Sequence, residues 1–117
     1  VEAVKGVITH PKMGAGTLGN VQNDATVKRI SQLQGNVLLA PQKVENPEAL
    51  NARIQSPTLI ATEASANLYR DECFGPMVFL VKTENTIESV AIASELAAEK
   101  GAITCLAFST DTDRTLI

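Results

Sequence analysis

An acidic and an aromatic side chain two residues apart form the clearest candidate ligand-binding pair in the sequence. Residues 71–76 read Asp-Glu-Cys-Phe-Gly-Pro and are followed by the apolar run of residues 77–81. Residues two apart on an extended backbone project from the same side, so Glu72 and Phe74 would face one ligand. A carboxylate accepts hydrogen bonds from ribose hydroxyls, and a ring packs against a heterocycle. The pair therefore predicts a cleft for a flat, sugar-linked ligand, although a surface acid beside a core phenylalanine would give the same pattern.

A strand, a helix and a second strand are predicted directly after this pair. Residues 77–81 are typical of a buried strand. Asn85 and Glu88 form a capping-box-like helix start, and a glycine at position 101 ends the helix. Residues 102–108 are a second β-type run. Strand, helix and strand with short turns predict parallel strands joined by a right-handed crossover, and thus an α/β fold with a parallel-type sheet and flanking helices.

The upstream half is predicted to add short elements to the same layers. The sequence favours strands at residues 36–40 and 54–61, an exposed excursion at residues 41–53, and a helix capped by Asn23 or Asp24. Residues 2–9 are compatible with a helix or a brief strand, and residues 12–22 with a loop.

Composition restricts the classes of function. The chain has 117 residues, 44% hydrophobic and 20% charged, which is ordinary for one globular domain. The formal net charge of −3 and the scattered Lys and Arg argue against nucleic-acid binding. No apolar run approaches the roughly 20 residues that span a bilayer. We therefore expect a cytoplasmic protein without a nucleic-acid or membrane partner.

The two cysteines are predicted to be reduced, inert thiols. Cys73 lies between acidic and aromatic residues, without the electropositive setting that a reactive thiol needs. Cys105 lies in an apolar run and is expected to be buried. His10 is the only histidine, and no CxxC pair is present, so we predict no metal site.

A glycine-rich segment matches a dinucleotide-binding pattern residue for residue. Gly14, Gly16 and Gly19 fit G-x-G-x-x-G, in which backbone amides and a helix N-terminus bind a pyrophosphate. The context is poor, because no firmly apolar strand precedes the segment, residues 20–24 delay the helix, and the following acid, Glu45, comes late. A flexible glycine loop is the favoured interpretation.

The order of these motifs resembles the catalytic domain of the aldehyde dehydrogenase superfamily. That family has an acid-acid-x-Phe-Gly-Pro motif before a strand, as in residues 71–76, then a helix and a Gly-Leu-x-x-x-Val-Phe-Thr-x-Asp stretch, as in residues 101–111. Residues 56–59 resemble its Pro-Thr-apolar strand. Within the superfamily, residues 69–76, 100–104 and 109–111 are most similar to the aldehyde dehydrogenase-like protein of phenylacetic acid degradation.

This resemblance implies roles for the candidate pair. Glu72 would accept hydrogen bonds from the nicotinamide ribose of NAD or NADP, and Phe74 would pack near the nicotinamide ring. The substrate would be a small-molecule aldehyde, and the protein a homo-oligomer. Residues 1–117 would form part of a catalytic domain with no internal boundary. The family's nucleophilic cysteine, oxyanion-hole asparagine and general-base glutamate would precede Val1, so no catalytic residue is assigned and the isolated chain is expected to be inactive.

Two other functions fit the residues alone. The chain could be a stand-alone nucleotide-binding module that uses Gly14, Gly16 and Gly19. It could also be a non-catalytic α/β interaction domain in which every motif is a turn or core.

Overall fold

The structure is a computed structural model that describes residues 1–10, 13–21, 23–32, 35–101 and 104–110. It divides into two compact units, Val1–Thr83 and Glu84–Ile117. Among the described residues, the first unit contains three helices and a three-stranded sheet, and the second contains one long helix. In chain order, the elements are α1 (Glu2–Ile8), α2 (Gly14–Thr17), α3 (Asp24–Ser31), β1 (Asn36–Leu39), β2 (Thr58–Glu63), β3 (Met77–Lys82) and α4 (Thr86–Lys100).

The sheet confirms the predicted α/β class and is mixed rather than wholly parallel. Its strand order is β1-β2-β3, with β1 antiparallel to β2 and β2 parallel to β3. The parallel pair runs in continuous register from Thr58 opposite Met77 to Glu63 opposite Lys82. The start of β3, directly after residues 71–76, therefore lies beside the start of β2.

The core of the first unit lies around the central strand β2. Thr58, Leu59 and Ile60 are all buried, and Ile60 has no exposed surface. The other buried apolar side chains are Val21, Ile30, Leu39, Ile54 and Tyr69. They come from α3, β1 and the connecting segments, so the packing of this unit depends on contacts between distant parts of the chain.

The prediction that β3 is a buried strand is wrong. Its residues alternate between half-buried and exposed, and Val78 and Leu80 keep 46% and 44% of their surface. Within the described residues β3 is an edge strand with β2 as its hydrogen-bonded neighbour. Successive side chains of a strand point to opposite faces, so the half-buried side chains lie on one face of β3 and the exposed ones on the other.

Two helices replace the ambiguous or looped regions expected near the start. Residues 2–8 form α1, and α2 lies within the segment expected to be a loop. A Cβ at Gly14 would collide with the carbonyl oxygen of Ile8, so the absence of a side chain at Gly14 lets α2 begin directly against the end of α1. The capping prediction for α3 is confirmed: Asn23 Oδ1 accepts from the Thr26 backbone N–H at 2.9 Å.

In the second unit, α4 begins and ends where the sequence indicates. Asn85 Oδ1 accepts from the Glu88 N–H at 3.0 Å, and Glu88 Oε2 accepts from the Glu84 N–H at 2.6 Å. The helix ends at Gly101, whose φ of 81° suits glycine.

The strand expected at residues 102–108 is not observed. Residues 102 and 103 lie outside the described residues, and residues 104–108 are exposed and outside any helix or strand. Leu106 and Phe108 keep 73% and 91% of their surface. Cys105 is exposed too, so the expectation that it is buried is wrong. The physical reason is that no neighbouring strand in the described part of the chain pairs with this run.

Neither a membrane span nor a metal cluster is found in the described ranges. None of the helices there is both long and apolar enough to cross a bilayer. No three His, Cys, Asp or Glu side chains there are grouped so that they could hold a metal ion.

Candidate functional site

A cleft of about 460 Å³ in the first unit contains part of the predicted ligand-binding pair. Its wall combines the segment after α2 with the residues just before β3. The lining residues are Thr17, Leu18, Gly19, Asn20, Val21, Thr26, Gln55, Phe74, Gly75 and Pro76. Such a volume is in the range of small-molecule and cofactor sites, and the mixture of apolar side chains with a few polar groups is typical of them.

The phenylalanine side of the cleft is fixed by close packing of its loop on β2 and α3. The Thr58 N–H donates to the Pro76 carbonyl at 2.8 Å, which joins the loop to the start of β2. Gly75 has a φ of +137°, and a Cβ there would lie 3.0 Å from Thr26 Cγ2 and 3.1 Å from Ile30 Cδ1. Only glycine fits both the backbone conformation and this space. The loop is thus held against α3, and the position of Phe74 follows from that contact.

One side chain of α3 also reaches the backbone of this loop. Arg29 Nη1 lies 3.5 Å from the Phe74 carbonyl oxygen, at the long limit of a hydrogen bond. The guanidinium therefore places a positive charge beside the backbone of the candidate pair.

The segment at residues 19–21 is held in place by Arg53. The Arg53 backbone N–H donates to Asn20 Oδ1 at 2.6 Å, and its carbonyl accepts from the Val21 N–H at 2.7 Å. Its guanidinium Nε donates to Asp24 Oδ1 at 2.6 Å. This ion pair is exposed and so adds little stability, whereas the two backbone contacts fix the wall of the cleft.

The two predicted site residues are separated by the geometry of the cleft. Phe74 lines the cleft and keeps 67% of its surface exposed, so its ring is open to a ligand. Glu72 is exposed on the same loop but does not line the cleft. An exposed carboxylate can accept hydrogen bonds from a polar group of a ligand. Both side chains are open to solvent.

The three glycines of the dinucleotide-like pattern do different things. Gly14 packs at the junction of α1 and α2, Gly16 lies inside α2, and Gly19 lines the cleft. In the described residues the segment follows helix α1, whereas the dinucleotide fold needs a strand there. The pyrophosphate interpretation therefore lacks its structural basis, as its context in the sequence indicated.

The sequence alone did not identify the part of the cleft wall that comes from residues distant from 71–76 in the chain. Gln55, Leu18 and Val21 line the cleft, and each lies far from Phe74 in sequence. They meet because Asn20 forms an isolated bridge with Ile54. No local motif marks such a pairing, so a sequence pattern could not have identified it.

One of three comparisons with known proteins finds a similar structure. A search of protein-family models gives no match, and neither does a search of curated proteins. Among solved structures, the chain is similar to the crystal structure of an NAD-dependent aldehyde dehydrogenase from Burkholderia multivorans, with 35% sequence identity and a TM-score of 0.75. The match covers 81% of this chain and 18% of that chain. This similarity supports the resemblance to the aldehyde dehydrogenase superfamily, and the chain spans a small part of that relative's length.

Proposed function

We propose that this chain is a segment of the catalytic domain of an NAD-dependent aldehyde dehydrogenase. The observation that carries the proposal is the similarity over 81% of the chain to an enzyme described as NAD-dependent. An identity of 35% over this length, together with a TM-score of 0.75, goes beyond a shared arrangement of a few strands and helices. NAD is accordingly the proposed cofactor.

Glu72 and Phe74 are the residues proposed to contact the nicotinamide half of the cofactor. Phe74 presents an exposed ring at the wall of the cleft, and Glu72 presents a carboxylate on the same loop. The Glu72 carboxylate would accept hydrogen bonds from the ribose hydroxyls, while the Phe74 ring would limit the positions open to the nicotinamide. Their combined effect is to orient the ring for hydride transfer, which lowers the entropic part of the barrier.

The family reaction divides the chemistry among parts of a larger protein. A cysteine thiolate attacks the aldehyde, a hydride passes to the nicotinamide, and water hydrolyses the thioester. We assign none of these covalent steps to residues 1–117. Their proposed contribution is to hold the hydride acceptor, so they act on the second step and leave the first and third to other residues.

Substitutions at the two residues test the proposal in the full product of the gene. Glu72→Gln removes the charge that strengthens the ribose hydrogen bonds, which corresponds to a fall of about 10- to 100-fold in kcat/KM for NAD. Phe74→Ala removes the ring contact and is expected to lower kcat for hydride transfer, measured as NADH formation in a single turnover.

Two matched substitutions at residues that do not line the cleft serve as controls. Glu63→Gln changes an exposed acid at the end of β2, and Phe108→Ala removes an exposed ring in the second unit. Both are expected to leave cofactor kinetics unchanged. If Glu72→Gln and Phe74→Ala behave like these controls, the assigned roles are wrong.

A narrower substrate class is also proposed from the sequence pattern. The similarity of residues 69–76 and 100–104 to the phenylacetic acid degradation protein favours an aromatic aldehyde in a cytoplasmic, homo-oligomeric enzyme. Comparison of kcat/KM for aromatic and aliphatic aldehydes of similar size tests this point. Equal rates, or a preference for aliphatic substrates, would contradict it.

A further inference from the structure

Gln55 is a polar residue of the cleft wall that has no part in the proposed roles of Glu72 and Phe74. It lines the cleft and is half-buried. Its neighbours Ile54 and Ser56 are almost fully buried, at 3% and 0% exposure. On an extended backbone successive side chains point to opposite sides, so the two neighbours face the interior and Gln55 faces the cleft.

The hydrogen-bonding capacity of this amide is open within the described residues. No side chain or backbone group there donates to or accepts from the Gln55 side chain. On either side of it, the Ile54 carbonyl accepts from the Val44 N–H at 2.9 Å, and the Ser56 N–H donates to the Gln42 carbonyl at 2.8 Å. The Ser56 hydroxyl, by contrast, accepts from the Gln42 N–H at 2.8 Å. A glutamine amide offers two N–H donors and one carbonyl acceptor in a plane. Its natural complement is another planar group with both a donor and an acceptor.

We propose that Gln55 recognises the carboxamide of a nicotinamide ring held in the cleft. This inference rests on the proposed cofactor function and adds a residue that selects the ring's substituent. The ring would rest against Phe74, and the two amides would exchange hydrogen bonds: the Gln55 carbonyl accepts from the carboxamide N–H, and the Gln55 N–H donates to the carboxamide oxygen. Leu18, Val21 and Pro76 are apolar parts of the wall. Its other polar side chains already have partners: the Thr17 and Thr26 hydroxyls donate to the Met13 carbonyl and to Asn23 Oδ1, and Asn20 Oδ1 accepts from the Arg53 N–H.

Cofactor analogues separate this role from a purely structural one. The probes are NAD and 3-acetylpyridine adenine dinucleotide, whose methyl ketone keeps the oxygen but has no N–H donor. Their dissociation constants are measured by calorimetry with the full gene product. Loss of one hydrogen bond corresponds to about a 5- to 10-fold weaker binding, which is the preference for NAD expected of the unmodified protein.

Two substitutions at Gln55 should change that preference in different ways. Gln55→Met keeps the length of the side chain but removes both hydrogen bonds, so it should bind the two cofactors with similar constants. Gln55→Glu retains an acceptor for the carboxamide N–H, so it should still prefer NAD. The matched control, Gln42→Met, alters an exposed glutamine that does not line the cleft and should keep the full preference.

The outcomes separate failure of this inference from failure of the proposed function. A preference for NAD that disappears in Gln55→Met and persists in Gln42→Met supports the role of Gln55. An unchanged preference in Gln55→Met, with NAD still bound, overturns that role and leaves the proposed function standing. Failure of the unmodified protein to bind NAD overturns both.

Discussion

Replacement of Gly75 by alanine should loosen the loop that carries Glu72 and Phe74. A residue with a Cβ at φ +137° is strained, which costs about 1–3 kcal/mol. The new Cβ would also lie 3.0 Å from Thr26 Cγ2 and 3.1 Å from Ile30 Cδ1. Both neighbours are buried, with 9% and 3% exposure, so neither can move into solvent. Their displacement adds about 1 kcal/mol.

Together, these two costs should lower the free energy needed to open this loop by about 2–4 kcal/mol. Two backbone amides report that opening directly. The Thr58 N–H donates to the Pro76 carbonyl and the Met77 N–H to the Gly75 carbonyl, each at 2.8 Å. Hydrogen exchange at these amides should therefore become about 30- to 1,000-fold faster in Gly75→Ala.

The matched control for this substitution is Gly16→Ala. A Cβ at Gly16 would meet no atom within 4 Å, and the residue lies inside α2. Alanine there should be neutral or stabilising by up to about 1 kcal/mol. If Gly75→Ala leaves exchange at Thr58 and Met77 at the rate of the unmodified protein, the packing of the loop against α3 does not fix its position.

Two substitutions test the polar groups of the core by urea unfolding. Thr58 Oγ1 is buried and has no hydrogen-bond partner among the described residues, so Thr58→Val should stabilise the protein by about 1 kcal/mol; a loss of stability would reveal a missed partner. The Tyr69 hydroxyl donates to the Ala64 carbonyl at 2.7 Å, so Tyr69→Phe should destabilise the protein by about 1–2 kcal/mol. An unfolding midpoint unchanged in Tyr69→Phe would show that this hydrogen bond contributes nothing.

The local signals in the sequence identified those parts of the fold that depend on neighbouring residues. Asn23 and Asn85 each cap a helix with a side-chain oxygen, and both caps follow from residue type and spacing. The strands at residues 36–39 and 77–82 were also expected, because apolar runs between turn residues mark them.

The sequence could not indicate features that depend on distant partners. Val78 and Leu80 are exposed because nothing in the described part of the chain covers their face of β3, and no residue of that strand encodes this. The same holds for residues 104–108, whose β-type composition forms a strand only beside a partner. Phe74 was recognised from its motif, whereas Gln55 enters the cleft through the bridge between Asn20 and Ile54.

A structure of the full gene product with NAD bound would show directly whether Glu72 and Phe74 hold the nicotinamide half of the cofactor. We expect the nicotinamide ring against Phe74 and a ribose hydroxyl within hydrogen-bonding distance of the Glu72 carboxylate, at about 2.5–3.0 Å between oxygens. NAD bound elsewhere, with the cleft beside Phe74 occupied by another part of the protein, would show that Glu72 and Phe74 do not contact the cofactor.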